Sequence, residues 1–140
     1  MRKSHSPPTM LPVVGPLSWG LEVTPSRWLL VSGQVGADSK DDVPEGLLAQ
    51  TQLVWDNIGH VLASAGMSAR HIARTGIYLS SQVAFDEKER KAFNELRVGF
   101  LGDNRPASTL IFVHRLMDPR WLVEIDAFAV DDVNDGVEQV

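Results

Sequence analysis

The stretch RPASTLIFVHRLMDPRWLVEIDAFAV, residues 105–130, carries the clearest pattern in the chain and decides its fold class. Residues 108–116, STLIFVHRL, are rich in β-branched and aromatic types, which are typical of a β-strand. From 121 to 130 the residues alternate between two faces, as they do in a second strand. Pro119 lies between these segments and suits a turn, because it has no amide hydrogen to donate. The stretch therefore predicts a β-hairpin that closes a sheet.

Two carboxylates, Glu124 and Asp126, lie on one face of the second predicted strand between apolar neighbours. A solvated face would explain them without any function, as would an ion pair with Arg115 across the hairpin, since exposed carboxylates are the rule. A carboxylate in an enclosed cleft could instead order water or transfer a proton. The spacing alone leaves both interpretations open.

Composition indicates one ordinary globular domain of 140 residues. The net charge of −5 argues against binding of nucleic acid through a general basic field. Without cysteine there is no disulfide, thiolate nucleophile or thiolate metal site. The histidines, at 5, 60, 71 and 114, show no ligand spacing, so no metal is predicted.

No segment approaches the ~18 consecutive apolar residues of a membrane helix, and no membrane partner is expected. Residues 1–9 lack the apolar run of a signal peptide, so a cytoplasmic protein is the expectation. These residues contain two prolines and little apolar material, and we predict a mobile arm. A single domain over 10–130 and an acidic tail over 131–140 complete the predicted organisation.

The first two strands are predicted within 10–23 and over 28–35. The second of them reads WLLVSGQV, and its apolar continuity indicates burial on both faces. Ser32 and Gly33 interrupt that run. A glycine inside a buried strand marks a bulge or a close approach of another group to the backbone. Ser32 could equally be a small residue that bonds a neighbouring carbonyl.

Two helices follow, and each is predicted from apolar residues that recur at helical spacing. The first is predicted to begin at Pro44, a favoured first-turn residue, and to end at Gly66 in a left-handed cap. A third strand is predicted over 71–81 and the second helix over 83–101. A strand–helix–strand unit of this kind is parallel and right-handed.

The element order β-β-α-β-α-β-β predicts an α+β fold with two helices packed on one face of a sheet. The opposite face is expected to carry apolar side chains from the last two strands. These are Leu110, Phe112, Leu122 and Phe128. An uncovered apolar face of that size indicates a partner, so we expect a homo-oligomer.

Three motifs together resemble the YjgF/RidA family, also known as L-PSP endoribonucleases: SGQVG after the second strand, RPAST and VEIDAFAV. The resemblance extends over residues 12–130. It implies a chorismate-mutase-like fold assembled as a barrel-like homotrimer with clefts between subunits. It also implies hydrolysis of enamines and imines, such as 2-aminoacrylate, to 2-keto acids and ammonia without a cofactor.

The resemblance assigns roles to three residues of this chain. The serine of the SGQ motif is Ser32, with Gly33 beside it, and both would bind the substrate. The glutamate of the last strand is Glu124, which would position the attacking water. A carboxylate can do so by hydrogen bonding and general acid–base action.

Two substrate-binding positions depart from the family pattern. Leu17 stands where a tyrosine usually follows Gly-Pro, and Ser108 stands where deaminases carry an arginine. Serine offers neither the charge nor the bidentate geometry with which a guanidinium fixes a carboxylate. Arg90, Arg105 and, at the far end of its strand, Arg115 are candidates to replace that arginine.

Three functions remain in competition. The first is a deaminase or hydrolase of a reactive metabolite in the cleft between subunits. The second is a non-catalytic trimer that binds a small molecule and regulates a partner, favoured by a less cationic and more apolar pocket. The third is an endoribonuclease, against which the acidic balance and the absence of interleaved aromatic and basic residues argue.

Overall fold

The structure, a computed structural model, describes residues 2–132 and contains six strands and two helices in the order β1-β2-β3-α1-β4-α2-β5-β6. The strands are β1 (Arg2–His5), β2 (Gly20–Val23), β3 (Pro25–Val35), β4 (Ile72–Ser80), β5 (Ala107–Val113) and β6 (Val123–Asp132). The helices are α1 (Leu47–Ser64) and α2 (Glu87–Leu101). The predicted acidic tail lies outside the described residues apart from its first two, which belong to β6.

The main sheet has four strands in the order β3-β6-β4-β5. β6 runs antiparallel to both β3 and β4, and β5 runs parallel to β4. β3 and β4 are therefore parallel to each other, as the strand–helix–strand prediction requires, although β6 lies between them. The predicted α+β class is confirmed.

The predicted hairpin between the last two strands is wrong. β5 and β6 do not pair, because β4 lies between them. The connection over 114–122 is long enough to cross the end of β4, where the Ser80 amide donates to the carbonyl of Leu122 and the Ser81 amide to that of Val113. β6 gains two strand partners in this central position, which suits a strand whose core-facing residues are completely buried.

Both helices pack on one face of the sheet and against each other. The Trp55 and Phe100 rings stack across the helix pair with centroids 4.9 Å apart. α1 ends as predicted, because Gly66 adopts a left-handed φ of +69° and the buried Met67 donates its amide to the carbonyl of Leu62. Within residues 2–132, neither helix combines the length and hydropathy needed to cross a bilayer.

The other face of the sheet is open and partly apolar, as predicted, but most of its apolar residues are not the predicted ones. Leu110, Phe112 and Leu122 pack on the helix side. Of the predicted residues, only Phe128 lies on the open face. The exposed large apolar side chains there are Trp28, Leu30, Ile111 and Phe128.

The amino-terminal residues differ from the predicted mobile arm. Arg2–His5 forms β1, which pairs antiparallel with β2. The Arg2 guanidinium donates to the carbonyl of His71 and to Asn104 Oδ1, which ties the strand to the main domain. A strand held by a distant side chain gives no local signal, and the predicted first strand within 10–23 reduces to the four residues of β2.

Candidate functional site

A bulge in β3 forms one side of the candidate site. The β3 register advances three residues while that of β6 advances two, so Ser32 and Gly33 both lie opposite Asp126. The Gln34 side chain donates to the Ser32 carbonyl at 3.0 Å across this irregularity. The bulge predicted from the glycine is therefore present, and both of its residues are exposed.

Glu124 lies directly over this bulge. A β-carbon at position 33 would be 2.7 Å from Glu124 Oε2 and 2.8 Å from its Cδ, so any residue other than glycine would displace the carboxylate. The structure thus brings together three of the predicted site residues, Ser32, Gly33 and Glu124.

The Glu124 carboxylate is unengaged. No residue among 2–132 donates a hydrogen bond to it or pairs with it. Partial burial, with a smaller contribution from the nearby Asp126 charge, raises the pKa of this carboxyl above its ordinary value. A partly desolvated carboxylate with free lone pairs can accept a proton from water and return it.

Asp126, on the same face, has a different environment. It accepts a hydrogen bond from the Gly76 amide at 3.0 Å and another from the Tyr78 hydroxyl at 3.1 Å. The bond to Asp126, followed by its charge, raises the pKa of the Tyr78 phenol. The Asp126 carboxylate is thus hydrogen-bonded to β4, whereas that of Glu124 has no such partner. Neither carboxylate contacts Arg115.

Ser108 points away from Glu124, into the layer between sheet and helices. It pairs beside the buried Thr75, whose Oγ1 donates to Ser108 Oγ at 2.8 Å. Arg97 Nη2 donates to the same oxygen at 2.7 Å. The space beside position 108, where the family pattern has an arginine, is therefore occupied by an arginine from α2.

Arg97 is the functional candidate that the sequence prediction missed. It is only 4% exposed, and its Nε has no hydrogen-bond partner among residues 2–132. Burial, with the nearby Arg105 charge, lowers the pKa of its guanidinium to about 10. A signal was available, because Phe93, Arg97 and Leu101 are spaced by four residues and are the buried positions of α2.

The remaining predicted residues lie elsewhere. Arg105 donates through Nη1 to the carbonyls of Gly102 and Asn104, at 2.6 and 2.9 Å, and so caps the end of α2. Leu17 is half-buried in the segment that runs beside the start of β5, and Arg90 is exposed on α2. Arg115 is exposed beyond the end of β5.

The candidate residues thus form two groups at opposite sides of the sheet. Gly33 and Glu124 lie where β3 meets β6, and Ser108 and Arg97 lie where β5 meets α2. β3 and β5 are the two edge strands of the sheet. A single chain keeps the free carboxylate and the buried guanidinium apart.

The mixed sheet, the two helices on one face and the carboxylate over a glycine bulge define a small α+β protein with a candidate acid–base site on its open sheet face. The family profile described as Endoribonuclease L-PSP matches residues 11–131. The chain belongs to this family, the YjgF/RidA family.

Individual relatives agree with this assignment. Protein DfrA of Myxococcus xanthus is 31% identical over 120 residues, which cover 84% of this chain and 86% of the relative. The 2-iminobutanoate/2-iminopropanoate deaminase of Mus musculus is 30% identical over 120 residues, covering 84% and 82%. The crystal structure of YyfB from Yersinia pestis, a Rid family protein of unknown function, has a TM-score of 0.81 at 30% identity and covers 92% of this chain and 98% of its own.

Proposed function

We propose that the protein is a cofactor-independent hydrolase of small enamines or imines, with Glu124 as the residue that orders and activates water. The observation that carries the proposal is the unengaged Glu124 carboxylate, whose pKa is raised, held against the Gly33 bulge. The similarity to an imine deaminase supports the same reaction class. The acidic net charge of −5 favours a small metabolite over RNA.

The chemistry needs only a group that moves protons. Water attacks the carbon of the C=N bond and transfers a proton to Glu124, which passes it to the imine nitrogen and so gives a neutral carbinolamine. As the carbinolamine collapses, Glu124 takes the proton of its hydroxyl and passes it to the nitrogen, the C–N bond breaks, and ammonia departs to give the 2-keto acid. General acid–base catalysis of this kind contributes ~10²–10⁴-fold.

The proposal includes a homotrimer that completes the site between subunits. The open sheet face exposes Trp28 and Leu30 at 57% and 67%. Among residues 2–132, neither edge strand has a second strand partner, and the outer side of β5 forms only the bridge between Ala107 and Ser18. A closed ring would cover both features, since edge strands and apolar patches are otherwise prone to non-specific association. In a ring that places the β3 edge of one subunit beside the β5 edge of the next, Glu124 would approach the Ser108–Arg97 group of its neighbour.

The test is hydrolysis of enzymatically generated 2-aminoacrylate, with the remaining imine trapped by semicarbazide. Wild-type protein should release pyruvate and ammonia faster than buffer, and Glu124→Gln should reduce the rate by at least ~10²-fold. Glu95→Gln, which changes an exposed carboxylate on α2, is the matched control and should retain the wild-type rate. A wild-type rate equal to that of buffer would remove this function.

A non-catalytic binding trimer is the second candidate, favoured by the orientation of Ser108. β5 contains no arginine, and its Ser108 hydroxyl is directed towards Arg97 and Thr75, so this strand supplies no guanidinium of its own. A metabolite that raises the Tm without being consumed would support binding over catalysis.

A further inference from the structure

Arg97 carries a buried positive charge for which residues 2–132 provide no anion. Within this part of the chain its only hydrogen bond goes to the neutral Ser108 hydroxyl, and its Nε–H is buried without an acceptor. No described carboxylate pairs with it. A buried charge is costly unless it is paired and hydrogen-bonded. The Arg97 guanidinium therefore lies where an anionic partner would be stabilising.

A second positive charge, on Arg105, acts on Arg97 and increases the need for an anion. Arg105 has the same sign and is close enough to perturb Arg97 electrostatically. Arg105 satisfies two carbonyls at the end of α2, but carbonyls do not neutralise it. Two guanidinium groups and a hydroxyl without a carboxylate form a place where an anion would be stabilised by charge and by hydrogen bonds.

The site lies close to the surface. Ser108, which contacts the guanidinium, is only partly buried and belongs to the edge strand β5. Arg97 is thus one side chain away from the sheet edge. The preceding residue, Ala107, forms a single bridge with Ser18, so an anionic group would reach Ser108 along the part of the edge beyond this bridge and meet the guanidinium behind it.

We propose that Arg97, supported by Ser108 and Arg105, binds the carboxylate of a small ligand and so replaces from α2 the arginine that β5 lacks. The choice of a carboxylate rests on the proposed function, in which the product is a 2-keto acid. The buried Nε–H and the Nη atoms present the planar donor set that matches a carboxylate. A purely structural Arg97 would instead serve only to hydrogen-bond Ser108.

The experiment compares the binding of pyruvate with that of its uncharged methyl ester by calorimetry. Wild-type protein should bind pyruvate at least tenfold more tightly than the ester. Arg97→Met, which retains volume without charge, should bring this ratio close to one. Lys91→Met removes an exposed charge from the same helix and should keep the wild-type ratio.

A second measurement on the wild-type protein covers the case in which Arg97→Met does not fold. The Arg97 Nε–H resonance, assigned by its loss in Arg97→Lys, should shift when pyruvate is added and stay in place with the ester. A tenfold preference that survives in Arg97→Met, an unmoved Nε–H resonance or the absence of saturable pyruvate binding would each overturn the proposal. Binding is measured without turnover, so a failure of hydrolysis would count against Glu124 chemistry and leave this inference standing.

Discussion

The α-carbon of Gly33 lies against the carboxylate of Glu124, so closely that a β-carbon there would be 2.7 Å from Oε2. The bulge that creates this contact places two residues of β3 opposite one residue of β6. In an ordinary ladder each residue would have its own partner, whereas here Ser32 and Gly33 share Asp126. The glycine and the bulge together leave room for the Glu124 carboxylate, which we propose activates water.

Gly33→Ala should therefore impair the site without unfolding the protein. The added methyl group would force the flexible Glu124 side chain off the bulge, and we expect kcat/KM to fall by about tenfold or more, since misplacement by ~1 Å can cost up to 10². Steady-state kinetics would measure the loss and circular dichroism would check the fold. In the Glu124→Gln background the same substitution should have little further effect, and additive losses would show that Gly33 acts independently of Glu124.

The raised pKa of Glu124 makes a prediction about stability and pH. The folded protein holds this proton to a higher pH than the unfolded chain, whose glutamate titrates near pH 4.3. The contribution of Glu124 to the free energy of unfolding is therefore complete below about pH 4 and is lost as pH rises through the folded pKa.

Glu124→Gln cannot titrate, so it should gain stability relative to wild type as pH rises from about 4 to 7. Urea unfolding of both proteins at several pH values would measure the difference in free energy. A difference that stays constant, or that decreases with pH, would show that the carboxyl is not disfavoured in the folded state.

Much of the fold was readable from local patterns, since each depends on nearby residues alone. The Gly66 cap, the alternation of β6 and the bulge at Gly33 belong to this class. The hairpin prediction failed because alternation shows which face a residue takes but not which strand lies beside it. Only the sheet as a whole reveals that β4 separates β5 from β6.

The candidate site was only partly predictable for a related physical reason. Gly33 and Glu124 belong to motifs, whereas Arg97 belongs to none, and a charged residue is ordinarily expected on the solvent side of a helix. Its position four residues after Phe93 and four before Leu101 was the contrary evidence. Because buried charge is rare, helical spacing alone does not predict a buried arginine.

The proposed trimer depends on the open sheet face. Leu30 is 67% exposed there and pairs across strands with Phe128. Leu30→Glu would place a charge in the interface, which costs several kcal/mol when unpaired. Sedimentation should show three chains for wild type and a smaller assembly for the variant.

The control for this prediction is Leu11→Glu, at a leucine that is 81% exposed and lies outside the main sheet. It should keep the wild-type mass. A wild-type protein that sediments as one chain, or a Leu30→Glu variant that still sediments as three, would contradict the proposed assembly.

The relation between Ser108 and Arg97 predicts that the guanidinium can be moved from the helix to the strand. Ser108→Arg alone would set a second guanidinium against the buried one, and we expect a loss of about 2 kcal/mol or more. Adding Arg97→Met leaves one guanidinium and should recover most of that stability, because the repulsion between the two guanidinium groups is removed. Thermal unfolding of the two single variants and the double variant would measure this coupling, and a Ser108→Arg protein as stable as wild type would contradict it.

The double variant should also bind pyruvate more tightly than its methyl ester, since a guanidinium would again lie beside β5, now at position 108 itself.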